Sequence, residues 1–178
     1  MKNILEDIHL FKGNVLCICV EDGRILSRIK KNNEVALHEL ERFKKGKIFS
    51  KYKRISNKKG KSVRIKKFRK LFKKKSVEYI IIDLNNVYDY YKYIASNSIY
   101  ICKKKIYIYG NSDFVTANGV AKKFLRYTKN VKTVQNGTEY IVIVNWDNTK
   151  FNWFKEKFYV IIDTFHNLGD MISYILTS

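Results

Sequence analysis

From Val15 to Val20 the chain reads Val-Leu-Cys-Ile-Cys-Val, six apolar residues without a polar break. A strand with one face in water alternates apolar and polar side chains. An unbroken run is instead what a strand buried on both faces of a parallel sheet requires. Val77-Glu-Tyr-Ile-Ile-Ile-Asp-Leu84 is a second and clearer strand. Such a sheet needs helices on both faces, so the two runs point to an α/β fold.

The pattern between and around these strands supplies the other elements. Lys2 to Lys12 reads as a helix, with Leu5, Ile8 and Phe11 on one side and Gly13 as its stop. Glu21-Asp22-Gly23 turns the chain, Arg24 to Asn32 reads as helix, and Val35 to Glu39 as a shorter strand. A short strand is expected at Ser62 to Ile65. Ile65, Phe68, Leu71 and Phe72 then recur at helical steps. Val87 to Ser96 reads as helix, Ile99 to Cys102 and Lys105 to Tyr109 as strands around a basic kink ending at Gly110. Phe114 to Tyr127 is expected helical, with Val115, Val120, Phe124 and Leu125 inward. Val131 to Val134 and Tyr140 to Asn145 form a hairpin around Asn136-Gly137, the pair favoured in type I′ turns. Phe151 to Leu176 carries a long apolar stripe through Phe154, Phe158, Ile161, Phe165, Leu168 and Ile172, expected to pack on the core as a terminal helix.

The expected fold is therefore a doubly wound, mostly parallel α/β sheet with an antiparallel C-terminal edge hairpin and a long C-terminal helix. At 178 residues, with no repeat and no linker, the chain reads as one domain, 1–178.

Charge is distributed unevenly. Between Arg42 and Lys75, 34 residues hold 18 Lys or Arg and no acid, while the remainder carries 18 basic residues against all 16 acidic ones. Absence of proline and heavy use of Lys, Asn, Ile and Tyr reflect AT-rich codons, which explain part of the lysine excess. At the chain's own acidic frequency, 16 of 178, an acid-free run of 34 arises by chance about 4% of the time. Aromatics interleave with the cations: Phe43, Phe49, Tyr52, Phe68 and Phe72. Cations neutralise phosphates and rings stack on bases, so Lys44, Lys45, Lys58, Lys59, Arg64, Lys67, Arg69, Lys70 and Lys74 are the candidate contacts to RNA or DNA. The same pattern also suits an anionic membrane surface or a solvated face.

Other chemistry finds less support. Cys17 and Cys19 share a strand face and cannot bond each other readily, so the three cysteines read as buried thiols rather than a disulfide or metal set. His9, His38 and His166 have no partnered nucleophile, and there is no Gly-x-x-x-x-Gly-Lys loop and no zinc spacing. No stretch approaches a membrane span and no signal peptide opens the chain, so a cytoplasmic location is expected.

In doubly wound sheets, ligands sit outside the carboxyl ends of the central strands. Those ends carry Glu21-Asp22-Gly23 after the first strand, Glu39 and Glu41 after the second, and Asp83, Asn85 and Asn86 after Val77–Leu84. The order of elements, with these residues at the strand ends, resembles the class I S-adenosylmethionine-dependent methyltransferases from Val15 to about Asn145. The resemblance implies that Glu21, Asp22 and Gly23 stand at the family's glycine-rich cofactor loop, here with one glycine. It implies that Glu39 or Glu41 holds the ribose hydroxyls. Asp83-Leu-Asn-Asn-Val-Tyr88 stands where amino-methylating members carry Asn or Asp, prolines and an aromatic, here without proline. Asp83 and Asn85 would then orient an acceptor nitrogen. Residue by residue, helix starting, charge balance and capping offer simpler roles. Methyl transfer onto a nucleic acid, or nucleic-acid binding without catalysis, are the two functions expected.

Overall fold

In the computed structural model, residues 2–42, 51–55, 62–64, 72–88 and 91–146 are described. Among these residues eight strands form one sheet: β1 (Gly13–Ile18), β2 (Val35–Arg42), β3 (Lys51–Ile55), β4 (Ser62–Arg64), β5 (Val77–Asp83), β6 (Cys102–Asn111), β7 (Val131–Asn136) and β8 (Glu139–Asn145). Their order is β4-β3-β2-β1-β5-β6-β8-β7. The four central strands, β2, β1, β5 and β6, run parallel. Both edges are antiparallel pairs, with β3 against β2 and β4 against β3 on one side, β8 against β6 and β7 against β8 on the other. The C-terminal edge hairpin agrees with the sequence. The second antiparallel edge adds the strand β3 within the basic segment, where Ser62 begins β4 as expected.

The apolar runs of β1 and β5 are unbroken because successive side chains feed two cores. On one face Leu16, Ile18, Ile80, Ile82, Ile106 and Ile108 meet α3 (Tyr91–Ile101) and α4 (Ala117–Leu125) through Ile94, Ile99, Val120 and Phe124. On the other, Val15, Cys17, Tyr79, Ile81 and Tyr107 meet α1 (Lys2–Asp7), the 3₁₀ turn that follows it, and α2 (Gly23–Lys31) through Ile4, Ile8, Phe11, Ile25 and Ile29. Full burial of each such side chain stabilises by roughly 1.5–3 kcal/mol. The Phe11 ring stacks on Tyr79 at 4.2 Å, and the Tyr107 hydroxyl donates to the Asp7 carboxylate, which also pairs with Lys105 at 3.3 Å. These contacts lock the N-terminal helix onto the sheet. Helices on both faces make the sheet doubly wound.

Several local expectations are corrected. Ile99–Ile101 is the last turn of α3, not a strand. Ile94, Ala95, Ser98 and Ile99 are all buried, a helical spacing, and this packing overrides the β-branched and aromatic local sequence. β6 starts at Cys102 and runs through Lys103–Lys105, so the basic kink is part of the strand. The first helix ends at Asp7 and tightens into the 3₁₀ turn Ile8–Leu10. The fourth helix starts at Ala117, where Thr116 accepts from the Gly119 N–H at 3.2 Å, and Leu125 points outward at 50% exposure. The hairpin loop is Gly137-Thr138, with positive φ only at Gly137, which excludes type I′ and fits type II′. The expected helix over Phe151–Leu176, the helix after Ile65, and Lys44, Lys45, Lys58, Lys59, Lys67, Arg69 and Lys70 lie outside the described residues. No helix among the described residues is long and apolar enough to cross a membrane.

Candidate functional site

The chain leaves β1 through α2 to reach β2 on one side, and later returns to β5 on the other. Loops from the carboxyl ends of β1 and β5 therefore diverge, and a crevice opens between them. At this end of the sheet lies a pocket of about 640 Å³. Its lining includes Asp22 from the β1–α2 loop, Asp83 and Asn85 from the end of β5, and Tyr109 to Asn111 from the end of β6. Glu139 and Tyr140, at the start of reversed β8, complete that wall beside their β6 partners.

The turn after β1 reaches a left-handed backbone without a glycine. Cys19 takes a left-handed backbone, φ 53, a conformation that glycine adopts more readily. Its N–H donates to Leu40 at 2.7 Å, and its carbonyl accepts from the Asn86 side chain at 3.0 Å. Asp22 caps α2, accepting from the Arg24 N–H at 2.8 Å. Its two oxygens also receive the Arg24 guanidinium at 3.2 and 3.0 Å, which holds the Asp22 carboxyl below its usual pKa. Gly23 has open space where a Cβ would project.

Asp83 ends β5 and is 7% exposed. One oxygen accepts from the Asn85 N–H at 3.2 Å, the other from the Asn86 amide at 3.1 Å. Burial pushes its pKa up to about 6, and the carboxylates of Glu21 and Asp22 add to the rise. The Tyr109 hydroxyl beside this carboxyl draws that pKa partly down. Tyr109 is itself pushed upward by burial and then by Asp83. The Tyr140 hydroxyl is buried without a hydrogen-bond partner among the described residues, and burial raises its pKa to about 12. Gly110 has no room for a side chain, since a Cβ would stand 2.7 Å from the Tyr140 oxygen and 3.3 Å from Leu84 Cβ. At the rim, Phe114 stacks on Tyr88 at 5.0 Å, both rings substantially exposed.

The structure brings Asp22, Asp83 and Asn85 to one pocket, with exposed Glu21 close enough to act on Asp83. Glu39 lies elsewhere. β2 runs on to Arg42, so Glu39 is within the strand opposite Cys17, 3.9 Å from Lys30 of α2. Glu41 stands next to the last residue of β2, opposite Lys53 of β3. Arg64 is the last residue of β4, and Lys74 is exposed in the turn before β5. His38 faces Asn14 at 3.2 Å and the Phe72 ring edge, away from the pocket lining. Cys17, Cys19 and Cys102 are buried free thiols, and no cluster of metal-ligating side chains exists among the described residues.

Tyr109, Gly110, Asn111, Phe114, Glu139 and Tyr140 were not expected from the sequence. The strand-end rule, applied to the fourth parallel strand, whose end the sequence marks at Gly110, reaches the first three. Glu139 and Tyr140 become visible only once β8 is placed against β6.

No protein-family model and no curated protein sequence matches the chain. Among solved structures, it is similar to a release-factor-specific protein-(glutamine-N5) methyltransferase from Alicyclobacillus acidocaldarius subsp. acidocaldarius. The identity is 11%, the TM-score 0.49, and the match covers 83% of this chain and 91% of that one. A likeness at this level assigns no role to any residue.

Proposed function

We propose that the chain is a methyltransferase-like protein that binds S-adenosylmethionine in the switch-point pocket and docks to nucleic acid through the Arg42–Lys75 segment. The observation that carries this reading is the position of Asp83: a buried carboxyl with its pKa near neutrality, at the end of a central strand, facing a pocket of ligand size. The residues present fit the cofactor. Asp22 and Asp83 offer carboxylates to a cationic sulfonium, and Gly23 leaves the approach to the β1 loop open. Glu21, Asp22 and Gly23 would hold its amino-acid part, and Glu41, at the carboxyl end of its strand, is better placed than Glu39 for the ribose. The cofactor would supply an activated methyl group. Asp83 and Asn85 would orient an acceptor nitrogen, and ionised Asp83 would take its proton.

Calorimetric titration with S-adenosylmethionine and with its demethylated product tests the reading. Binding of both is expected, with the cationic form tighter; no heat from either at millimolar concentration removes it. A second reading, nucleic-acid binding without catalysis, draws on the 18 cations of the basic segment alone. It expects oligonucleotide binding with a steep salt dependence and no cofactor binding.

A further inference from the structure

One residue in five of this chain is Lys or Arg, yet none lines the switch-point pocket among the described residues, while Asp22, Asp83 and Glu139 do. Asp22 is answered by Arg24; Asp83 and Glu139 have no ion-pair partner among the described residues. A carboxylate that is buried and unpaired is costly to hold ionised, and a cation arriving in the pocket relieves that cost. Two further observations point to an organic ligand. The Tyr140 hydroxyl, more than nine-tenths buried in the pocket wall, lacks a hydrogen-bond partner among the described residues. Phe114, 54% exposed, lines the opening with its ring stacked on Tyr88, a surface suited to an alkyl chain or a cation over an aromatic face.

We infer that the β6–β8 side of this pocket, between Asp83, Glu139 and Phe114, binds an alkylammonium group. In terms of the function proposed above, whose reading this deepens, the acceptor is an aliphatic amine rather than a phosphate-bearing or carboxylate ligand. The binding itself does not depend on the cofactor. The field of the whole protein works against it: a net charge of +20 repels cations and attracts anions, so selective uptake of an amine must come from local groups.

The full chain is titrated calorimetrically at pH 8, without cofactor, with n-pentylamine, 1-pentanol and pentanoate. At that pH Asp83 is ionised and the amine protonated. The amine is expected to bind about tenfold tighter than the alcohol, with pentanoate weakest, and Asp83→Asn and Glu139→Gln are each expected to weaken amine binding by roughly threefold or more. Glu139 is exposed, so its variant keeps the test valid if the Asp83 variant folds poorly. Nα-acetyl-lysine methylamide distinguishes the sources. Tighter binding than pentylamine supports an amine presented on a polypeptide, and weaker binding supports a free amine. Pentanoate binding as tightly as the amine, or amine binding that neither substitution changes, overturns the inference. Because S-adenosylmethionine is titrated separately, failure of either binding leaves the other measurable.

Discussion

Asp83 is the residue on which structure and chemistry converge, and its cost to the fold is measurable. Its folded pKa of about 6 stands above the ordinary 3.8, so the fold prefers the protonated carboxyl. That stability is fully present below about pH 4 and is lost as pH rises through 6, a penalty of about 3 kcal/mol for the ionised form. Asp83→Asn removes the charge but gives up the bond from the Asn86 amide, worth ~1 kcal/mol. Urea unfolding should show the variant more stable than wild type by about 2 kcal/mol at pH 8, with the advantage gone at pH 4. If the same substitution weakens ligand binding, that exchange of stability for binding is the usual mark of a functional site. Gly110 makes the opposite case. Gly110→Ala should destabilise by about 1–3 kcal/mol because the new methyl meets the Tyr140 oxygen. Tyr140→Phe in the same chain should recover part of that loss, since the nearest atom is the hydroxyl, and denaturation of the single and double variants measures it.

At the scale of elements, the strands were legible wherever burial on both faces leaves a continuous apolar run, as in β1 and β5. The helix α2 was legible from the Glu21-Asp22-Gly23 turn before it, and the body of α4 from its stripe through Val120 and Phe124, though not from its cap. The Thr116 cap carries a direct test: Thr116→Ala should cost about 1 kcal/mol and shift the thermal midpoint down, without altering ligand binding. What sequence could not give was Ile99–Ile101, where residues that favour strands complete α3. Packing on one face of the sheet decides that segment, and local preference is weak beside the burial of Ile94, Ala95 and Ile99. The site was legible in the same measure. Asp22, Asp83 and Asn85 follow from the ends of parallel strands, whereas Glu139 and Tyr140 depend on the reversed strand β8 being inserted between β6 and β7. That pairing is long-range and leaves no local trace. The apolar run stops near Glu39 and so suggests a strand end there, although hydrogen bonding carries β2 on to Arg42.

At the scale of the whole molecule, charge and topology separate two surfaces. β3 and β4, inside the basic segment, lie two and three strands from β1, about 10 and 14 Å at the usual spacing between neighbouring strands. The acidic pocket sits on the other side of β1, toward β5, β6 and β8. A polyanion on the basic edge therefore need not enter the pocket, whose carboxylates repel phosphate. Oligonucleotide affinity should fall steeply between 50 and 200 mM salt, by a factor on the order of 10³ if about six phosphates are neutralised. Reversing Lys58 and Lys59 to Glu should weaken oligonucleotide binding and leave S-adenosylmethionine binding unchanged. The most direct test of the central claim is a crystal of the chain soaked with S-adenosylmethionine. Density for the cofactor between the Glu21–Gly23 loop and Asp83 is the result expected. Density at any other place, or none there while an oligonucleotide still binds the same protein, would contradict it.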